Sequence, residues 1–371
     1  MRRFGVVPLL AFALLAAARP IAAEELRLPL LVPLTGPIAL EGTSQRNGAL
    51  LAISHAPPGL EVRADVTDTG GSPELGVNAL EKALGDKPRA IVASMLGTAL
   101  LAMIPVADEA KVPLVTVSGT ARITELGSRY VFRFFPADPV AKTAHVRYIV
   151  EELGKKRAAL ITQTTAYGQS GRQAIVDNLA KFGVKPVFEE ALDVSVKDML
   201  PVIAKAKAAD PDVIMLHLHS GPSALFLKQA RSAGLELPVV AGSALHQPAT
   251  AALLDPAELK GVCAETGSSP MSGGSPAMKT FVADYRRAFN AEPDAFALGQ
   301  YDGTMMVLEA AAQGARTPEA IRAALAGGTY RGLAATYKDD GKGNMAHGAV
   351  IVCYDGTSRV PRLAKRYEDL G

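Results

Sequence analysis

From Leu26 onward, short apolar runs alternate with segments whose apolar residues recur at helical spacing. The first run, LRLPLLVPL over 26–34, predicts a strand. Thr35-Gly36-Pro37 follows as a loop, and residues 42–53 carry the spacing of a helix. A second strand over 60–66 ends in DTGG, ahead of a helix with Pro73 near its start and Leu75, Ala79 and Leu80 on one side. Strand 90–93, loop 94–98 and helix 99–110 come next. The run from Val112 to Val117 then empties into Ser118, Gly119 and Thr120, a short hydroxyl-rich turn. Repeated strand–helix alternation of this kind predicts an α/β, doubly wound parallel sheet.

After YVFRFFP (130–136) the pattern restarts. Helix 139–153, strand 158–162, loop 163–168, helix 169–182, strand 187–191, helix 196–208, strand 213–218, helix 223–233 and strand 238–241 make a second set. Two such sets predict two Rossmann-like lobes with a crevice between them. Helices 276–290 and 296–313 and a closing hairpin over 334–354, turning at Asp340-Gly341, read as pieces returned to the two lobes.

Ligands of open parallel sheets settle beyond the carboxyl ends of the strands, where loops expose N–H groups and small polar side chains. Ser118 and Thr120, with the N–H groups around Gly119, therefore form a candidate cradle for a carboxylate. His217 and His219 stand two apart at a strand end, with His246 farther on. None has a Cys or carboxylate companion at metal-ligand spacing, so no metal site is expected. His217 reads as a core residue and His219 as a wall, imidazole being the side chain that gains charge near neutral pH. No GxSxG, GxGxxG, P-loop or HExxH pattern marks an enzyme, and no cofactor is expected.

Composition narrows the classes further. The 371 residues are 49% hydrophobic and 20% charged, with a formal net charge of +2, no Trp and 5% aromatics. That leaves neither an electrostatic footprint nor a stacking surface for nucleic acid. Arg2 and Arg3 precede an apolar run over 6–18, and Ile21-Ala22-Ala23 supplies small residues before Glu24-Glu25, which predicts a signal peptide cleaved near Ala23 and an exported protein. Export permits a disulfide between the two cysteines, Cys263 and Cys353, but two unpaired buried thiols satisfy the sequence equally.

Seven segments in order resemble the type I periplasmic solute-binding proteins of branched-chain amino acid ABC importers: LTGPIALEG (34–42), DTGGSPE (68–74), IPVADEAKVPLVTVSGTA (104–121), YVFRFFP (130–136), TTAYGQSGR (164–172), LKQARSAGL (227–235) and YDGTMMVLEA (301–310). The resemblance implies two lobes joined by three crossings, near Pro136, Cys263 and Gly328. Lobe I would then comprise 24–136 with 264–328, and lobe II 137–263 with 329–371. It further implies a small carboxylate ligand, hinge closure without chemistry, action as a monomer, and a membrane permease as partner.

Residue by residue, the resemblance places Ser118 and Thr120 on the ligand carboxylate, beside the Gly97 N–H and the Thr98 hydroxyl. Tyr167, His219 and Tyr301 become wall residues, and Glu41 stands in the first-loop position where an aromatic is common. The acidic partner that amino-acid binders place after the strand at 238–241 is missing, since the chain there reads AGSALHQPA. Either Glu41 supplies the counter-charge for an ammonium from the other lobe, or the ligand is an organic or aromatic acid without one. The same two-lobed body also serves ligand sensors that report to a signalling partner.

Overall fold

A computed structural model describes residues 25–368 and residue 370; the expected signal peptide lies outside them. The first lobe is built on five parallel strands in the order Val66–Asp68, Leu30–Val32, Ile91–Ala93, Leu114–Thr116 and Val131–Arg133. The second lobe has seven, in the order Arg362–Tyr367, Ala349–Cys353, Val262–Thr266, Val239–Ala241, Val213–His217, Ala158–Gln163 and Phe188–Leu192. Its last five are mutually parallel; Ala349–Cys353 pairs antiparallel with them, and Arg362–Tyr367 pairs antiparallel with Ala349–Cys353.

The central strands of both sheets are buried on both faces, which is why they read as continuous apolar runs, while the edge strands Val66–Asp68, Phe188–Leu192 and Arg362–Tyr367 are partly exposed and carry polar residues. Leu30 and Val32 enter one core of the first sheet while Leu31 enters the other. Likewise Ile214 and Leu216 face one core of the second sheet and Val213 and Met215 the opposite one. The alternation follows from successive side chains pointing to opposite sides of a strand.

The crossings differ from expectation in two places. The first runs through 134–137, beside the expected Pro136. The second falls after Thr266, because Cys263 is inside a strand of the second sheet. There Gly267 passes so close to the first crossing that a Cβ would sit 2.8 Å from Pro136 Cδ. The third falls at 346–348 and not at Gly328. The hairpin of Thr329–Arg331 and Thr336–Lys338 packs Tyr337 into the core of the first lobe, and Met345 follows it there. Buried Asp302, on helix Ala295–Ala312, fixes that hairpin by accepting the Leu333 and Ala334 N–H groups at 2.8 Å each. Residues 329–346 thus belong with the first lobe. The single hairpin expected over 334–354 is replaced by strands in different sheets.

Cys263 and Cys353 sit opposite each other in the antiparallel register and are bonded. The bond ties strands 90 residues apart in sequence, closing a loop that runs out through the first lobe and back. Replacing both cysteines with alanine is expected to lower the unfolding free energy by about 2–4 kcal/mol in urea titrations and to leave ligand affinity within about twofold. An unchanged urea midpoint contradicts this.

Candidate ligand site between the lobes

Each site element begins where a parallel strand ends. Helix Ala39–Ser54 carries Glu41 in its first turn, and helix Gly97–Ala110 starts with Gly97 and Thr98. From the second lobe, Tyr167 lies in the first turn of helix Ala166–Lys181, and His219 caps helix Ser220–Ser232. Helix starts from both lobes therefore converge on one crevice, a field that favours a negative group.

Between them lies a narrow cavity whose open space is about 30 Å3, room for about two waters. A larger guest enters only by parting the lobes. Its apolar walls include Ile38, Met95, Leu96, Val117, Phe135 and Phe296, and its polar lining comes from Glu41, Gly119, Tyr167, His219 and Ser243. Ser118 and Thr120, the chain neighbours of Gly119, do not themselves line this cavity; their hydroxyls are buried and unpartnered, and Thr120 lines a separate pocket with Ala121, Ala166 and Ser170. Gly97 permits that arrangement, since a Cβ there would stand 2.0 Å from the Thr120 hydroxyl oxygen. Thr98 faces the opposite lobe, its Oγ1 accepting the Ala166 N–H at 3.2 Å.

Tyr301 is the misplaced residue. It follows Phe296 by five positions, about 140° around the same helix, and turns away from the cavity. Its hydroxyl meets His55 Nδ1 at 3.0 Å and its ring packs on Phe281. Phe296 is the aromatic that this helix gives to the site.

Glu41 is the electrostatic centre of the crevice. Its Oε1 accepts the Ser220 N–H at 2.9 Å and lies 3.6 Å from His219 Nδ1, both across the cleft. Burial alone pushes its pKa up, but His219 and the Ser220 N–H outweigh it and hold the carboxyl below its usual range. Its Oε2 is buried without a partner, as are His219 Nε2 and the Tyr167 hydroxyl. Tyr167 stacks 3.9 Å from His217 and 5.0 Å from His219. Burial, with the charges of Glu265, Asp138 and Glu41, drives its pKa well above 10, so it is a donor at any ordinary pH.

A carboxylate does stand near the second-lobe loop, brought there by the neighbouring strand. Glu265 accepts from Ser243 through both its N–H and hydroxyl at 3.0 Å. It is already committed to Lys142 at 2.5 Å and His145 at 2.6 Å. Sequence spacing could not place it, although a glutamate in the apolar run VCAET was a visible anomaly. Farther along, neutral His246 Nε2 accepts the Ala295 N–H at 2.9 Å, and Gln247 donates to Asp294 at 2.6 Å, two more bonds across the lobes.

The geometry is that of a clamp with an apolar interior and orphaned polar atoms at its edges. A family model described as periplasmic binding protein matches residues 25–357. The chain belongs to the periplasmic binding protein family. Such a protein binds solute and is not an enzyme, and the family name places it outside the cytoplasm; no described helix is long and apolar enough to cross a membrane. A Leu/Ile/Val-binding protein of Rhizobium johnstonii is 26% identical over 321 residues, covering 84% of this chain and 86% of the relative. A leucine-binding protein of Thermotoga maritima shares the fold at TM-score 0.83 and 23% identity, over 92% of this chain and 99% of that one. A Rhodopseudomonas palustris solute-binding protein, solved with 3,4-dihydroxybenzoic acid, shares it at TM-score 0.84 and 22% identity, over 94% and 98%.

At the first crossing, Asp138 donates its N–H to the Gly119 carbonyl at 2.7 Å, and its carboxyl is raised to about 6 by burial, against the opposing pull of Lys142, Ser170 and Arg133. The folded form therefore binds this proton more tightly than the unfolded chain does, and stability falls as pH rises from about 4 to about 6. Asp138→Asn is expected to remove that slope. Between pH 4 and pH 8 the difference in unfolding free energy between variant and wild type should move toward the variant by about 2.4 kcal/mol. A pH-independent difference contradicts the assignment.

Proposed function

We propose that this periplasmic binding protein captures a small carboxylate with an apolar body, foremost a branched-chain amino acid, and delivers it to the permease of an ABC importer. One observation carries the reading: buried, unpartnered polar atoms of Glu41, Tyr167 and His219 line one apolar-walled crevice from both lobes, and two more, on Ser118 and Thr120, flank its lining residue Gly119. Ser118 Oγ and Thr120 Oγ1 suit a carboxylate, Glu41 Oε2 suits an ammonium, and Tyr167 and His219 close over them from the second lobe. Leaving such atoms unpaired costs about 1–3 kcal/mol each, which a guest of matching polarity recovers. Export through the amino-terminal signal, cleavage near Ala23, action as a monomer and indifference to nucleic acid complete the proposal.

A second reading has its own support. Glu41 already faces His219 and the Ser220 N–H, so its charge is answered within the protein and no ligand ammonium is required. Phe135 and Phe296 offer aromatic walls, and the Rhodopseudomonas palustris neighbour was solved with an aromatic acid. An aromatic carboxylate is the ligand on this reading.

Calorimetry on wild type and Glu41→Gln separates the two, because the glutamine carbonyl can still accept the Ser220 N–H while the charge is gone. L-leucine or L-isoleucine should bind wild type and lose at least tenfold in the variant, with benzoate and 4-hydroxybenzoate changed by less than about threefold. Leucine binding that survives the substitution removes Glu41 as the ammonium partner. Tight binding of the aromatic acids alone makes the second reading the function.

A further inference from the structure

The side chain beneath the carboxylate loop is an arginine that no ligand can touch. Arg133 is fully buried at the end of strand Val131–Arg133. Its Nη1 donates to three successive carbonyls, Ser118 at 3.3 Å, Gly119 at 3.0 Å and Thr120 at 2.8 Å. Nε and Nη2 go to Asn344 Oδ1 at 3.0 and 2.6 Å, and Nη2 also to Thr124 Oγ1 at 2.6 Å. All five acceptors are neutral. The carboxylates of Asp138, Asp340 and Glu125 act on it only through space, and burial lowers its pKa to about 10, which leaves it charged at neutral pH.

A buried cation whose direct partners are all neutral is costly, the distant carboxylates offset that only in part, and further groups can share its field. The peptide groups it grips point the way. Each carbonyl that accepts from Arg133 belongs to a peptide whose N–H lies on the next residue, and a hydrogen bond at one end polarises the group and strengthens the donor at the other. The N–H of Ala121 is spent on Ser170 Oγ at 2.9 Å. Those of Gly119 and Thr120 donate to no group among the described residues, and the hydroxyls beside them are the unpartnered Ser118 Oγ and Thr120 Oγ1.

We infer that Arg133 is a positioning residue that gives the site its preference for a carboxylate: it turns three carbonyls away from the crevice and places its charge one peptide group behind the anion. This inference rests on the proposed seating of a carboxylate at Ser118–Thr120. The same side chain joins that loop to Asn344, just before the third crossing, so loop geometry and lobe connection share one anchor.

The test compares matched pairs, L-leucine with L-leucinamide and benzoate with benzamide, by calorimetry on wild type, Arg133→Met and Arg133→Lys, with folding checked by circular dichroism. Wild type should prefer the acid; no preference in either pair overturns the seating of the carboxylate and this inference with it. In Arg133→Met the preference for the acid should shrink by roughly ten- to hundredfold while amide binding changes little. A merely structural arginine would weaken acid and amide alike, and that result overturns the inference while leaving the seating intact. Should Arg133→Met fail to fold, Arg133→Lys decides. A lysine keeps the charge without reaching every carbonyl, so the preference should stay within about fivefold of wild type; its disappearance is the contrary result.

Discussion

Few interactions in the molecule reach as far as the guanidinium of Arg133 held among neutral oxygens. Through it the loop at 118–120, the short helix at Arg122–Glu125 and the approach to the third crossing become one unit. Backbone bonds reinforce the join: the Arg133 N–H donates to the Gly343 carbonyl, and its own carbonyl accepts the Met345 N–H. A desolvated arginine survives there because its five N–H donors match a fixed array of acceptors, a geometry that lysine does not offer. The floor of the crevice is therefore rigid, and the motion that admits a ligand must lie elsewhere.

That motion is supplied by the character of the surfaces between the lobes. The bonds across the cleft, Glu41 with Ser220, Thr98 with Ala166, Ser170 with Ala121, His246 with Ala295 and Gln247 with Asp294, are polar and sit at helix starts or the turns beside them. Water can replace every one of them on opening, so the net gain from each is modest, about 1 kcal/mol. The cores of the lobes are separate by comparison. On the proposed function, a ligand would bias closure through contacts with both sides, and the hinge would lie at Pro136 and Gly267, where two crossings pack against each other.

Much of this was legible in the chain. The apolar runs located the central strands of both sheets because buried parallel strands leave no polar alternation to hide them, and the turn at Ser118-Gly119-Thr120, read as a candidate anion cradle, brings Gly119 to the cavity. What escaped depended on contacts distant in sequence. The hairpin at 329–338 joined the first lobe because Asp302 holds it, a fact local pattern does not carry. Tyr301 was misplaced because a shared segment fixes the helix but not which face meets the ligand. Arg133 and Glu265 stood in plain sight as charges inside apolar strands, yet their partners lie elsewhere in the fold, Asn344 and Ser118 for one and Lys142 and Ser243 for the other.

Two separately cored lobes that close on a guest must become more compact when they hold it. Small-angle scattering on the protein alone and with saturating L-leucine or 4-hydroxybenzoate, whichever calorimetry shows to bind, tests it most directly. The radius of gyration is expected to be smaller with the ligand and to return when the ligand is dialysed away. An identical radius under both conditions, with binding verified in the same sample, contradicts it.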